Sequence, residues 1–445
     1  RKGSASELIF PPLDPNFRPL AAELSAAKEE PEIAIAIERD DGCETRRWNA
    51  SDLRLIERMA KAMLWSFGGY RITVCGSEAA YRRLCTLYAP GGALDFDRQF
   101  MQRQYNRPFE IAFREHASDA PPTRRSPRPI AGGLSGCRIG LDVGGSDRKV
   151  SAIIDGKIVF SEETPWQPKT SANPEYQFRG ILDSLRRAAA HLPRIDGIGV
   201  STAGTVVGNQ IRTSSLFVGV PEELRDARVE NVYVNACREL GENIPLSVAN
   251  DGDVAALAGA IGLNANRMLG ISMGTSEAGG YIDVNGNVTG WLNELAFVPI
   301  DFCPESAIDP WSGDRGCGAS YLSQDAAIRL AGMEADDSLT PAEKLTRIQQ
   351  RMAEGDPQMR RVYESLGVYL GYAIAEYAWL YDIRHVLAMG RVTSGPGGEI
   401  LMDAARAVLK TDFPQLAEQL ELHLPDEAGR RIGQSIAAAR LVNLN

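Results

Sequence analysis

Cysteine and histidine are scarce in this 445-residue chain, which has seven of one and four of the other. The cysteines (Cys43, Cys75, Cys85, Cys137, Cys237, Cys303, Cys317) are odd in number, widely spaced and without a CxxC pair, which fits reduced thiols better than a disulfide framework. His116, His191, His385 and His423 lie far apart, so the sequence offers no source for a His-rich metal cluster. Positive charge is also in deficit. With 48 Lys and Arg against 58 Asp and Glu, the net charge of −10 argues against general affinity for nucleic acid or an anionic membrane, because both need a basic surface. No apolar run reaches the roughly 18 residues that suggest a membrane span. The amino-terminal RKGSASELIFPPLDP lacks an apolar stretch followed by a small-residue cleavage site. A cytoplasmic protein with no nucleic-acid or membrane partner is expected.

What is present is ordinary globular material, 44% hydrophobic and 24% charged, long enough for two or three domains. Residues 1–30 are proline-bearing and aperiodic and read as an arm that packs on something else. Ile33, Ile35 and Ile37 alternate as in a strand, Asp41-Gly42 marks a turn, and Cys43 to Trp48 is the hairpin partner. Ser51 is placed to cap a helix carrying Leu55, Ile56, Met59 and Met63 that Gly68-Gly69 ends. A strand at 70–75, a helix from Ser77 to about Tyr88 and a short strand at 109–113 complete a small α/β domain, residues 1–118. The Pro-, Ser-, Arg- and Gly-rich stretch 119–136 reads as a linker. Beyond it, strand meanders interleaved with helices predict α/β layers on a mixed sheet, divided into lobes at 137–250 and 251–445.

The first strand of that larger part runs into Gly144-Gly145. A dinucleotide-binding glycine loop needs a helix directly after it. Here Lys149, Ser151 and Ile153 alternate with Val150, Ala152 and Ile154 as the two faces of a strand, and Asp155-Gly156 turns the chain again. The glycines therefore form a hairpin tip whose backbone N–H groups would face an anion. The pattern recurs further along the chain at one constant offset. GLDVGGS is matched by GISMGTS and IIDGKI by DVNGNV, pairing Gly140 with Gly270, Gly144 with Gly274, Ser146 with Ser276 and Gly156 with Gly286. Four matches in one register indicate an internal duplication. Two such lobes would place both hairpins around one triphosphate.

These hairpins, with GIGVSTAGTV at 197–206, PLSVANDGDVAALAGA at 245–260 and HVLAMGRV at 385–392, resemble the actin, Hsp70 and sugar-kinase ATPase superfamily and, within it, the ROK family of sugar kinases and regulators. The resemblance covers about residues 137–440 and implies a duplicated two-lobe, ribonuclease H-like α/β fold that uses ATP and Mg²⁺. The phosphates are expected at Gly144, Gly145 and Ser146 and at Gly274, Thr275 and Ser276. Adenosine is expected at Gly390, Arg391 and Gly395, with Gly397 and Gly398 in the same loop. Asp142 is expected to hold Mg²⁺ through water. The strand–helix junction at Asn250-Asp251 puts Asp251 where a general base for a sugar hydroxyl belongs, with Asn250, Glu294, Gly204 and Ser215 around the sugar. By residue chemistry alone, Asp251 or Asp253 is equally a helix cap and Asp142 a turn acceptor.

Four departures from the family matter. In WLNELAF, Phe297 stands where a sugar-contacting, zinc-ligating His is usual. Of the family's cysteine cluster only Cys317 remains, so no zinc site is expected and Cys317 is read as a packed residue. Ser215 stands where many members have Asn, and Asp147 where many have Lys. The loop carrying Asp309, Trp311, Asp314 and Arg315 is read as shaping the sugar pocket. The reading is a sugar kinase working in a cleft between the lobes; the alternative is a non-catalytic nucleotide- or sugar-binding sensor or regulator. Residues 31–113 lack the consecutive short helices of a DNA-binding winged helix-turn-helix. A homodimer is implied by the resemblance alone.

Overall fold

The computed structural model describes residues 11–26, 30–130, 133–336, 338–425 and 433–444. Its chain falls into two compact units, residues 1–126 with 269–279 and 291–424, and residues 127–268 with 280–290 and 425–445. Of the arm, residues 1–10 and 27–29 lie outside the described residues, and the described part packs on the rest of its unit. Leu13 N donates to Ser365 Oγ (2.9 Å), Arg18 N to Asp301 Oδ1 (3.0 Å), and the Phe17 ring meets Tyr369 edge-on at 4.6 Å. Helix α1 (Leu20–Ala26) follows, then β1 (Glu32–Arg39), β2 (Gly42–Asn49), α2 (Leu53–Phe67), β3 (Arg71–Cys75), α3 (Glu78–Leu87), α4 (Asp95–Tyr105) and β4 (Glu110–Arg114). The sheet order is β2-β1-β3-β4, with β4 parallel to β3.

Two local expectations change here. The cap of α2 is Asp52, not Ser51, because the Asp52 carboxylate accepts from Arg54 N (2.7 Å) and Leu55 N (3.2 Å). Helix α4 had no sequence signal: Leu94 at its start makes no side-chain cap, and its buried face carries the polar Asp97 and Gln104 beside Met101. Within 119–136, Arg124 exchanges two backbone hydrogen bonds with Cys43 (2.8 Å each), and Arg125 pairs with buried Glu44 at 2.6 Å. Residues 124 and 125 are held against β2.

The other unit is built on β5 (Cys137–Val143), β6 (Asp147–Ile154), β7 (Lys157–Pro165), α5 (Pro174–Ala189), β8 (Gly197–Thr202), β9 (Thr205–Val207), β10 (Gln210–Thr213), α6 (Glu222–Arg228), α7 (Val232–Arg238), β11 (Leu246–Asn250) and α8 (Asp251–Leu263). An antiparallel meander and two parallel strands give the order β7-β6-β5-β8-β11. Ile139, Leu141, Ile198, Val200 and Val248 bury one sheet face against Ile181 and Leu185 of α5 and Val232 of α7. On β5 and β8 glycine admits a helix. A Cβ on Gly140 would lie 1.7 Å from Ser435 O and one on Gly199 1.8 Å from Ala438 O, so the carboxyl-terminal helix (Gln434–Ala439) rests directly on the sheet backbone. Gly199→Ala should lift that helix and cost about 3 kcal/mol in urea unfolding, a typical overpacking penalty.

The second sheet repeats the first. Strand β12 (Met268–Met273) ends at Met273 and β13 (Glu277–Ile282) begins at Glu277, in the same register to Val143 and Asp147 of β5 and β6 as the paired glycines. Gly156 and Gly286 both have φ of 81°, as the matched turns require. The third strand is reduced to an isolated bridge, Ile282 with Val288. Then come α9 (Gln324–Leu330), α10 (Pro341–Ala353), α11 (Pro357–Leu380), β14 (His385–Met389), α12 (Pro396–Asp412), α13 (Pro414–Ala417) and β15 (Glu421–His423), in sheet order β13-β12-β14-β15. Parallel pairing of β14 with β15 brings together His385 and His423, which are far apart along the chain, and so corrects the expectation that no histidines cluster. No described helix is long and apolar enough to cross a membrane.

Candidate active site

The carboxyl ends of β5, β8 and β11 share one register: Asp142 pairs with Ser201, and Thr202 with Asn250. Ligands collect at this edge in open α/β sheets. Ser201 Oγ donates to Asp142 Oδ1 (2.7 Å), and burial raises the Asp142 carboxyl above its ordinary range. Asn250 is the cap of α8. Its Oδ1 accepts from Gly252 N (2.7 Å) and its Nδ2 donates to Gly204 O (2.9 Å). Capping, which the sequence left open for Asp251 or Asp253, thus falls on Asn250, while Asp253 Oδ1 accepts from Tyr281 N (3.2 Å). Asp251 opens the helix, its Oδ1 taking a bond from Gly252 N (3.0 Å). Burial, with the neighbouring Asp142 charge, pushes its carboxyl up to about 6. Gly204, at φ 117°, passes closely by Thr213 O and Ser214, directly before Ser215.

The first glycine tip belongs to the same unit. Gly144 N donates to Asp147 O (3.0 Å), and Trp166 fastens the turn from outside, its Nε1 donating to Gly144 O (2.8 Å) and its backbone N to Ser146 O (2.9 Å). The extra charge of Asp147 is answered locally. Lys149 Nζ stands 3.3 Å from Asp147 Oδ1 and Ser146 Oγ donates to Oδ2 (2.7 Å). A second cation is near: a Cβ on Gly145 would lie 3.5 Å from Lys169 Nζ. Lys169 sits in a turn beyond β7, and nothing in its surrounding sequence marked it.

The second tip, Gly274, Thr275 and Ser276, lies in the other unit, with Gly274 N donating to Ser276 O and its carbonyl accepting from Gln324 N (2.8 Å). Gly390 comes beside it. At φ 100°, a Cβ there would lie 2.4 Å from Met273 O, so only glycine lets the loop after β14 lie against the strand feeding the tip. Arg391 begins a short turn whose carbonyl accepts from Gln349 Nε2 (2.7 Å), and around Gly395 the space is open. Gly397 and Gly398 serve packing instead. They lie in the first turn of α12, not in a loop, and their Cβ positions would meet the Tyr363 ring at 2.4 Å and Thr393 O at 2.1 Å. Directly after Ser276, Glu277 is fully buried, accepts from Tyr377 Oη (2.8 Å) and is pushed up to about 8, which leaves it protonated at neutral pH.

Glu294, in that same unit, has its backbone held by the end of α2. The last carbonyls of a helix have no partner within it. In α2, Gly68 N takes Leu64 O, while Trp65 O, Ser66 O and Phe67 O accept from Glu294 N (3.1 Å), Asn293 N (2.9 Å) and Leu292 N (3.4 Å). Phe297 stacks on Trp65 with ring centroids 4.2 Å apart, so the position where His is usual docks α2. Asp314 is engaged by α2. Its carboxylate is held by Arg58 (2.9 Å) and fully buried Lys61 (2.8 Å), which keep it far below the usual range, and Lys61 reaches Asp97 as well (3.0 Å). Asp309 accepts from Ser312 N (2.7 Å), Arg315 donates to Ser306 O (2.7 Å), and Trp311 is 78% exposed. Cys317 is fully buried.

Residues 138–419 match the ROK family. The fold is similar to that of a ROK hexokinase from Thermus thermophilus, at 20% identity and a TM-score of 0.53 over 69% of this chain and 97% of that one. It is also similar to a sugar kinase, so far only inferred to be one, from Cytophaga hutchinsonii (15%, TM-score 0.51, 68% and 98%) and to a ROK family transcriptional regulator that is a homologue of E. coli MLC (18%, TM-score 0.52, 69% and 79%). No curated protein matches. Residues before 137 form an additional α/β region. The chain belongs to the ROK family, with an actin-like sugar-kinase fold that follows an additional N-terminal α/β region.

Proposed function

We propose that this protein is an ATP- and Mg²⁺-dependent kinase that phosphorylates a hydroxyl of a sugar or sugar-like polyol. The observation that carries the reading is Asp251: a carboxylate at the carboxyl end of the parallel strands of a mixed sheet, raised to about 6, close enough to neutrality to accept a proton and still ionised at pH 7.5. Asp251 takes the proton of the acceptor hydroxyl as that oxygen attacks the γ-phosphoryl group, a loose transition state in which positioning outweighs basicity. Asn250, Gly204, Ser215 and Glu294 hold the acceptor. The tips at 144–146 and 274–276 offer backbone N–H groups to the phosphates, and Gly390, Arg391 and Gly395 receive adenosine.

Asp142, a carboxylate at the ligand edge of the sheet, is a hard oxygen donor of the kind Mg²⁺ takes, and Mg²⁺ held there through water would supply charge neutralisation at the phosphates. ADP release measured across a panel of sugars and amino sugars tests the proposal. Turnover with at least one acceptor, dependent on Mg²⁺, is expected.

A sensor is the second reading, favoured by Phe297 at the position of the usual sugar-contacting His and by the regulator among the similar structures. Sugar binding by calorimetry with no ADP released for any acceptor would establish it in place of the kinase.

A further inference from the structure

Away from these residues, β14 and β15 bring three metal-ligating side chains together. His385 pairs with Glu421 and Leu387 with His423 in the parallel ladder, and alternation puts Glu421 and His423 on one face of β15. His385 Nδ1 lies 3.2 Å from His423 Nε2, and Glu421 Oε2 lies 3.7 Å and 4.0 Å from those two nitrogens. The point equidistant from three atoms so separated is about 2.1 Å from each, the length of a zinc–imidazole or zinc–carboxylate bond. A hydrogen bond between the imidazoles accounts for the first distance but not for the carboxylate oxygen facing both nitrogens. Arg384 is 3.9 Å from the other oxygen, Oε1, which leaves Oε2 to the histidines.

We propose that His385, Glu421 and His423 bind one divalent transition-metal ion of the zinc class, with water in the remaining position. Two imidazoles and a carboxylate suit such ions and not Ca²⁺ or Mg²⁺, which prefer oxygen alone. The ion ties β15, a short strand at the sheet edge, to β14, whose far end runs into Gly390. The site involves none of the residues assigned to phosphoryl transfer, so it stands or falls independently of the kinase reading.

The test is zinc titration of the untagged full chain after chelator treatment and dialysis. One Zn²⁺ per chain is expected, with an affinity at least ten-fold weaker in His423→Gln and in Glu421→Gln, and a thermal midpoint raised by zinc in the parent protein only. X-ray absorption of the zinc-loaded parent, which needs no variant to fold, should show a shell of nitrogen and oxygen. No binding at 100 µM zinc, unchanged affinity in both variants, or a sulfur shell from the cysteines would each overturn the proposal.

Discussion

Asp251→Asn is expected to lower kcat by about 10²- to 10⁴-fold, the usual worth of a positioned general base, with nucleotide affinity changed by less than about two-fold. The amide keeps the side chain's shape and its bond from Gly252 N, so the loss isolates proton acceptance. A second readout follows from the raised carboxyl. A group whose pKa is higher folded than unfolded stabilises the fold fully below its unfolded value, near 3.8, and loses that contribution as pH rises through about 6. At pH 8 the ionised carboxylate thus costs about 2 kcal/mol, the difference from 3.8 reduced for partial exposure. Asn carries no such cost. The variant should therefore unfold at a higher temperature than the parent at pH 8, and the gap should close towards pH 4. In the parent, kcat/KM should fall on the acid side with a midpoint near 6. Full activity in the variant would remove Asp251 from the mechanism, and activity loss without the stability gain would show that the Asp251 carboxylate is well solvated in the folded protein.

Lys61→Met should destabilise the protein by about 3–5 kcal/mol, because it strands a buried carboxylate. Lys61 is fully buried between Asp97 and Asp314, and Arg58 can still serve Asp314 after the change, whereas Asp97 keeps no cation. The double variant Lys61→Met with Asp97→Asn should recover much of the loss, since removing both charges leaves nothing unpaired. Thermal unfolding of the two reads this directly. A kinetic consequence follows from α2, whose last carbonyls hold the backbone of Leu292, Asn293 and Glu294. Loosening α2 should raise the acceptor KM several-fold and leave the KM for ATP nearly unchanged. If both constants stay put while the thermal midpoint falls, Glu294 is not positioned by α2.

How far the sequence could be read depended on whether a signal was local. The constant offset between the two glycine tips was legible because the turn glycines and the strand alternation around them are short-range constraints. It reappears in the strand boundaries, Val143 with Met273 and Asp147 with Glu277. The edge position of Asn250-Asp251 was legible for the same reason, as a short apolar strand ending in polar residues before a small-residue helix. Helix α4 was not, because its buried face carries Asp97 and Gln104, and the cation that satisfies Asp97 comes from α2. Lys169 beside Gly145, and Ser201 as partner of Asp142, depend on where a turn and a neighbouring strand come to rest.

The sequence by itself determined the family, the hairpin character of both glycine turns and the residues offered for chemistry, since each rests on spacing along one stretch of chain. Only the tertiary structure decided what Asn250, Phe297, Asp314 and the two distant histidines do. Asn250 caps a helix, Phe297 stacks on Trp65, Asp314 is held by Arg58 and Lys61 of α2, and His385 meets His423 across parallel strands. The role of a polar or aromatic side chain is set by the partners that satisfy it once water is removed, and most of these partners lie far away along the chain.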